Sequence, residues 1–467
     1  MAQSGPPATD DQTGTRAHLA ALVGIALPLS ISQLAEMAMG TTDTALLGTI
    51  SPDAVAIGGL ATSLFFTTLA TFQSGLGAAG IMMSRSLGAG RPHEVPGQGT
   101  NALLFGLLLC LPCAALLLMA HSLLSALHEP PIIVDQTSRF AKILLLALPP
   151  DLLVIGLLRA ALPALGAQRL MLWTMPIMAV LNGFLNAGLI HGWLFLPRLG
   201  LWGSAVATAV TGWVVAAALM ILVWSDKATR SHLRFARPDW PGFAEMVRLG
   251  LPMTMAAAAE ILMFQATSLR AGKFGTQALA AHQIAITVCA TTFMVTLAIS
   301  QAVNVRVSFW LGAGRGDQAR RAVFVAVGAV FVWTLICAVA LHVCAVPIAR
   351  LYLDTTQAGS LAVVATTAGL LRIGALYQIG DGLQVVFAGA LRGAGDAVVP
   401  MVLTVLGFTV LGSIAGGWFA HSLGLGVNGL WYGLLTGLAT VAVLLAIRLG
   451  VMMGRLSRGE IPLKQAA

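Results

Sequence analysis

Unbroken apolar stretches of about eighteen residues or more follow one another along almost the whole chain, each able to cross a hydrocarbon core at about 1.5 Å per residue. A segment in hydrocarbon has no water to satisfy its backbone, so it must be a helix or a strand of a closed barrel. Barrel strands alternate apolar and polar residues, and these runs do not. The predicted fold class is therefore an all-α polytopic membrane protein. Composition agrees: 57% of the 467 residues are hydrophobic and 9% charged, with a mean hydropathy of +0.87. So few polar side chains could not cover a soluble domain.

Twelve transmembrane helices are predicted, near residues 20–47, 54–80, 99–122, 140–162, 170–192, 200–224, 247–271, 278–303, 320–347, 360–390, 398–421 and 427–452. Basic residues avoid translocated loops. The junctions after even-numbered spans carry Arg85, Arg91, Arg169, Lys227, Arg230, Arg234, Arg237, Arg248, Arg306, Arg315, Arg320, Arg321 and Arg392. Those after odd-numbered spans hold Arg139, Arg198, Lys273 and Arg350. Both termini are thus expected in the cytoplasm. The net charge of +8 is spread over one membrane face, and nucleic acid is not an expected partner. Membrane lipid is. The polar residues 1–19 read as a cytoplasmic tail without a signal peptide, and 453–467 as a second cytoplasmic tail. Five cysteines, an odd number, lie in apolar spans, so no disulfide framework is expected and the CxxC of Cys110 and Cys113 reads as helix packing.

The chain also repeats itself at an offset of 224 residues, with Leu27-Pro28 recurring as Leu251-Pro252, Glu36 as Glu260, and the string LGAGR at 87–91 as LGAGR at 311–315. Two pseudo-symmetric six-helix bundles follow: an N-lobe over 20–224 (spans 1–6), a basic cytoplasmic linker over 225–246, and a C-lobe over 247–452 (spans 7–12).

Acids inside the spans point to function, because an ionised carboxylate at membrane depth costs roughly 2.5–3.5 kcal/mol on insertion scales. Glu36, Asp43, Asp151, Glu260 and Asp381 fall within spans. Glu36 and Asp43 are two turns apart on one side of span 1. Tyr377 and Asp381, four apart on span 10, bring a phenol and a carboxylate together where they could bind one cation or share a proton. Asn182 and Asn186 on span 5 could hydrogen-bond a carboxylate or pair helices. Proline at 28 and 252 leaves a carbonyl without its helical donor and permits a bend, making both candidate hinges.

Together, MGTTDTALLG around Asp43, the two LGAGR strings, LNGFLNAGLI in span 5, AAHQIA around Gln283 and YQIGDGLQVVFAGALRGAG in span 10 resemble the multidrug and toxic compound extrusion (MATE) family, in its bacterial NorM-type branch. The likeness covers nearly the whole chain. It implies a V-shaped fold of two six-helix bundles in the bacterial cytoplasmic membrane, acting as a secondary antiporter that exports lipophilic organic cations in exchange for Na+ or H+. It implies a cation site at Glu260, Tyr377 and Asp381, where Na+ is a candidate occupant, and a proton or substrate site at Asp43, Asn182 and Asn186. Gln283 matches a cavity residue and Pro28 the family's span 1 proline. Glu36 and Asp151 match no family site, and Glu36 is included in the cavity for its burial alone.

Apolar burial of a lipophilic cation would use residues such as Phe65, Phe66, Met253, Met263 and Phe264, with a carboxylate to offset its charge. No enzyme activity is expected: the nine histidines contain no pair at i, i+3 or i, i+4 and no P-loop is present. No cofactor is expected beyond the coupling ion, and a two-lobed cleft would be functional as a monomer. The alternative function is a flippase of related fold for a lipid-linked precursor. A large polyanionic head group would call for a basic cavity, whereas mid-span basic residues here are chiefly Arg372 and Arg159.

Overall fold

The computed structural model of the protein describes residues 14–126, 130–193, 196–234, 236–353 and 359–457. Among them twelve helices are long and apolar enough to cross a membrane. In chain order they are α1 (Thr15–Gly48), α2 (Pro52–Gly88), α3 (Pro92–Leu118), α4 (Pro131–Ala164), α5 (Arg169–His191), α6 (Leu201–Ser225), α7 (Trp240–Gly272), α8 (Thr276–Gly312), α9 (Gly316–Val343), α10 (Ser360–Gly393), α11 (Val398–Ser422) and α12 (Gly426–Arg455).

Most of these helices run past the ends read from hydropathy, because their polar terminal turns remain helical. α1 begins at Thr15, inside the expected tail, and the rest of that tail, residues 1–13, lies outside the described residues, as do residues 458–467. The expected linker is partly helical. Asp226 accepts a hydrogen bond from the Thr229 amide at 3.2 Å and another from the Thr229 hydroxyl, capping the short helix Lys227–His232. The Thr229 hydroxyl holds the Asp226 carboxyl below its ordinary range. α7 then starts at Trp240, seven residues before the expected boundary.

The repeated LGAGR string is a helix stop. In the first copy Gly90 has φ +70°, its amide bonds the Leu87 carbonyl at 3.1 Å and the Arg91 amide bonds the Ser86 carbonyl at 2.9 Å. In the second, Gly314 has φ +71°, and the Arg315 amide bonds the Trp310 carbonyl at 2.9 Å. A glycine with left-handed backbone followed by a residue whose amide reaches back five positions closes the orphan carbonyls of a helix end. The motif is thus architectural in both halves. At the other end of α2, Ser51 accepts from the Ala54 amide at 3.1 Å, with Pro52 starting the helix and Asp53 in its positive first turn.

The helices gather into two compact units. One is built on Pro28–Thr254, and the other on the described chain from Met255 onward together with the part of α1 up to Leu27. α1 and α7 are therefore each divided between units, at Pro28 and two residues beyond Pro252. The start of α1 is fastened within the second unit: Arg306 of α8 donates to His18 Nδ1 at 3.1 Å, and His18 Nε2 meets Gln318 Oε1 at 2.9 Å. Because Nδ1 accepts, Nε2 carries the proton and donates. The start of α7 is fastened within the first unit: Asn101 donates to the Asp239 carbonyl at 2.8 Å, and Arg85 pairs with Glu245 at 3.0 Å. Gly75 and Gly250 let the α2 and α7 backbones approach, since a Cβ on Gly250 would lie 2.7 Å from the Gly75 carbonyl.

Within the second unit α10 is the most buried of the twelve spans. It lies against α8 through small residues. Ser300 donates to the Val385 carbonyl at 2.7 Å and Ser308 to the Gly393 carbonyl at 3.0 Å, while a Cβ on Gly389 would strike the Ser300 carbonyl at 2.6 Å. This close seam is what carries Tyr377 and Asp381 into the interior.

Candidate functional site

In the first unit Asp43 on α1 is 2% exposed. Asn186 of α5 donates to its Oδ1 at 2.5 Å, and the Thr208 hydroxyl of α6 donates to Oδ2 at 3.3 Å. Asn182, one turn from Asn186, instead donates to Thr211 of α6 at 3.3 Å. Its own Oδ1 and that of Asn186 are buried without a hydrogen-bond partner. The three residues expected from the sequence are thus drawn to one place, but Asn182 reaches Thr211 rather than the acid. Thr208 and Thr211 gave no sequence signal, being two hydroxyls among many in apolar helices.

In the second unit Glu260 on α7, Tyr377 and Asp381 are mutual electrostatic neighbours. Asp381 is 2% exposed and Tyr377 3% exposed. The phenol lies beside the Asp381 carboxylate, whose Oδ1 is buried with no hydrogen-bond partner. Two acids and a phenol thus share one buried region of the second unit. Arg392, in the last turn of α10 at the junction expected, faces Glu260 electrostatically.

A scaffold behind this cluster was not legible in the sequence. Trp431 of α12 donates its indole N–H to His282 Nδ1 at 3.1 Å, and His282 Nε2 lies 2.9 Å from the Ser268 hydroxyl. Since Nδ1 accepts, His282 holds its proton on Nε2 and donates to Ser268. Ser268 in turn donates to the Phe264 carbonyl at 3.1 Å. Trp431 and Phe264 flank Tyr377, at centroid separations of 6.0 and 6.4 Å. The chain of hydrogen bonds thereby fixes α7, α8 and α12 around the phenol. Gln378, next to Tyr377, donates to Thr292 at 2.5 Å.

A cavity of about 510 Å³, including its open mouth, lies in the first unit and is walled by Met39, Phe66, Met175 and Met178. Glu36, Asp151, Arg159 and Gln73 reach it. Arg159 donates to Glu36 Oε2 at 2.6 Å. Of the apolar wall expected from the sequence, Phe66 lines this cavity. Phe65, Met253 and Met263 are buried at 0%, 5% and 4% exposure and do not line this cavity; Met253 covers Gly77, with its methyl 2.7 Å from where a Cβ would stand. Gln283 is exposed on α8. Both prolines lie inside continuous helices. All five cysteines are free.

The model of the family described as MatE matches residues 28–187 and again 252–416, two segments whose starts are 224 residues apart and fall on the prolines. The chain belongs to the MatE family. Its members include the multidrug resistance protein NorM of Burkholderia vietnamiensis, to which this chain is 41% identical over 92% of its own length and 93% of the other's. A probable NorM of Rhizobium meliloti is 33% identical, with coverage of 94% and 95%. The chain is thus a NorM-type member. Solved MATE structures share the fold: a eukaryotic MATE transporter aligns with a TM-score of 0.85 over 96% of this chain and 99% of that one at 18% identity, and a MATE in a bent conformation with a TM-score of 0.84 at 18% identity. The MatE fold accounts for the repeat, the twelve spans and the absence of strands among the described residues.

Proposed function

We propose that this protein exports lipophilic organic cations across a bacterial cytoplasmic membrane, driven by entry of sodium ions or protons, with both termini in the cytoplasm and a single chain as the working unit. The observation that carries the reading is the pair of buried acid sites on α1 and on α7–α10, neither of which has a basic side chain hydrogen-bonded to its carboxylates among the described residues. Relatives named as multidrug resistance proteins support it.

The proposed chemistry is competition. Glu260, Tyr377 and Asp381 suit Na+, with two carboxylates and a phenol oxygen as hard donors. Asp43, with neutral amide and hydroxyl donors around it, suits a proton or the charged group of the cargo. If either acid site accepts coupling ion or cargo but not both, ion entry displaces cargo. Net export then requires that the two bind the inward-open and outward-open arrangements with different affinities, because a ligand with equal affinity for both shifts nothing. Pro28 and Pro252 are the proposed points of bending.

The test uses purified protein in liposomes preloaded with a fluorescent lipophilic cation, with an inward sodium or proton gradient imposed separately. Efflux driven by one gradient is expected and names the ion. Absence of efflux under both, with folded and inserted protein, overturns the reading and makes a lipid-linked substrate the next one to try.

A further inference from the structure

The two LGAGR helix stops are alike in backbone and unlike in charge. In the first copy Arg91 pairs with Glu94 at 2.9 Å and Arg85 with Glu245 at 3.0 Å, so each arginine there has an acid. At the 224-residue offset Met82 becomes Arg306, Ser86 becomes Trp310, Arg91 recurs as Arg315 and Glu94 becomes Gln318. An acid is lost and a cation gained. Residues 306–321 carry four arginines against one acid, Asp317. Among the described residues none of Arg306, Arg315 and Arg320 forms an ion pair.

Arg306 is the costly member. It is 6% exposed, donates to the His18 ring at 3.1 Å and lies 5.7 Å from the centre of the Trp310 ring. Its Nε and the Trp310 Nε1 are buried without a hydrogen-bond partner, and both are donor-only groups. Water would satisfy an N–H, but a buried guanidinium also calls for an opposite charge. Gln318 does not supply one: its Oε1 accepts from His18 and its amide donates to Asp317 at 2.6 Å. The half-buried Arg315 lies 5.3 Å from the same Trp310 ring. It precedes α9 without a side-chain cap, so the positive end of that helix adds to the field. Further along α9, Arg320 lies 5.4 Å from the ring of Phe324, which is 64% exposed on a membrane-spanning helix. An arginine laid along a ring that faces lipid keeps its guanidinium at head-group level. We propose that the end of α8 and the start of α9 bind the phosphate of an anionic phospholipid, met by Arg315 and Arg320 and attracted from beneath by Arg306. The bound lipid offsets the Arg306 charge and steadies the hydrogen bond to His18 that fastens the start of α1. This site is independent of what the protein exports.

The test uses the full-length protein, purified in detergent and freed of lipid, with dioleoylphosphatidylglycerol, dioleoylphosphatidylcholine or inorganic phosphate added. Native mass spectrometry counts bound lipid and gives its affinity, and thermal unfolding is followed in parallel. One phosphatidylglycerol is expected to bind about tenfold more tightly than phosphatidylcholine and to raise the thermal midpoint, while phosphate alone raises it little. Arg315→Gln should weaken that lipid about fivefold. Arg306→Met, which installs the residue of the first copy, should weaken it at least as much. Gln318→Glu restores the acid of the first copy, so it should raise the lipid-free midpoint and abolish the preference for phosphatidylglycerol. Arg91→Gln, in the other copy, should leave the preference unchanged. Wild-type affinity for phosphatidylglycerol in folded Arg315→Gln and Gln318→Glu would overturn the site, even if Arg306→Met failed to fold. Equal binding of the two lipids by the wild-type protein would overturn it as well. Full stabilisation by phosphate alone would overturn the lipid assignment and leave a site for a soluble anion.

Discussion

The two acid sites of the molecule solve the same problem in opposite ways. In the first unit one carboxylate, Asp43, is surrounded by neutral donors and both of its oxygens accept hydrogen bonds. In the second, Glu260 and Asp381 are electrostatic neighbours beside a phenol, and Asp381 Oδ1 is left unpartnered. A satisfied single acid is stable as it stands and changes by gaining a proton or a partner. Two acids held near each other in an apolar interior are costlier, and here Arg392 faces one of them, Glu260, electrostatically. The halves of a repeat have thus diverged at their centres while keeping the same helix stops at Gly90 and Gly314.

Substitutions can break or sharpen that contrast. The largest effect is expected from Asp381→Asn, which should reduce ion-driven efflux from liposomes by about tenfold or more. It should also raise the thermal midpoint of the ion-free protein, because it relieves one of two crowded carboxylates. A lowered midpoint would show that the pair is not strained. Asn186→Ala removes a donor from a buried acid and should destabilise the ion-free protein by about 1–3 kcal/mol, read as a fall in the same midpoint. If the two substitutions move it in the same direction, the distinction between a satisfied and a crowded site fails.

A smaller effect is expected of Trp431→Phe, which keeps the ring beside Tyr377 and deletes the donor to His282. It should cost about 1 kcal/mol and weaken binding of the coupling ion that the liposome test identifies by a few-fold. Asp43 lies outside that network, so the pH dependence of efflux should not change. Smallest of all, Ser51→Ala should cost about 1 kcal/mol through the lost α2 cap, with unchanged efflux.

Much of the fold was readable from sequence for a single physical reason, that the bilayer leaves the backbone no alternative to helix. The ends were less readable, because hydropathy marks the hydrocarbon crossing whereas helices such as α1 and α7 continue through polar turns until a cap or a glycine stops them. Tyr377 with Asp381 and Asn182 with Asn186 were visible as one-turn pairs of polar residues in apolar helices. Local spacing cannot reveal partners distant in sequence: Arg159 lies 123 positions from Glu36, and His282 lies 149 from Trp431. Nor can it tell a methionine that packs, such as Met263, from one that lines a cavity, such as Met178. Both are apolar residues at helical spacing, and only the neighbours decide.

The division of α7 between units has a consequence for how the protein is made. The last piece of the first unit, from Trp240 to Thr254, is translated only after its six preceding spans and the connecting segment have left the ribosome. The first piece of the second unit, the start of α1, is translated before everything else. The first unit therefore cannot finish assembling without the start of α7, nor the second without the start of α1. A ribosome stalled before Trp240 would release a bundle whose Arg85 lacks its counterpart, Glu245. Quality-control proteases would meet a first unit without its last helix rather than one sound domain.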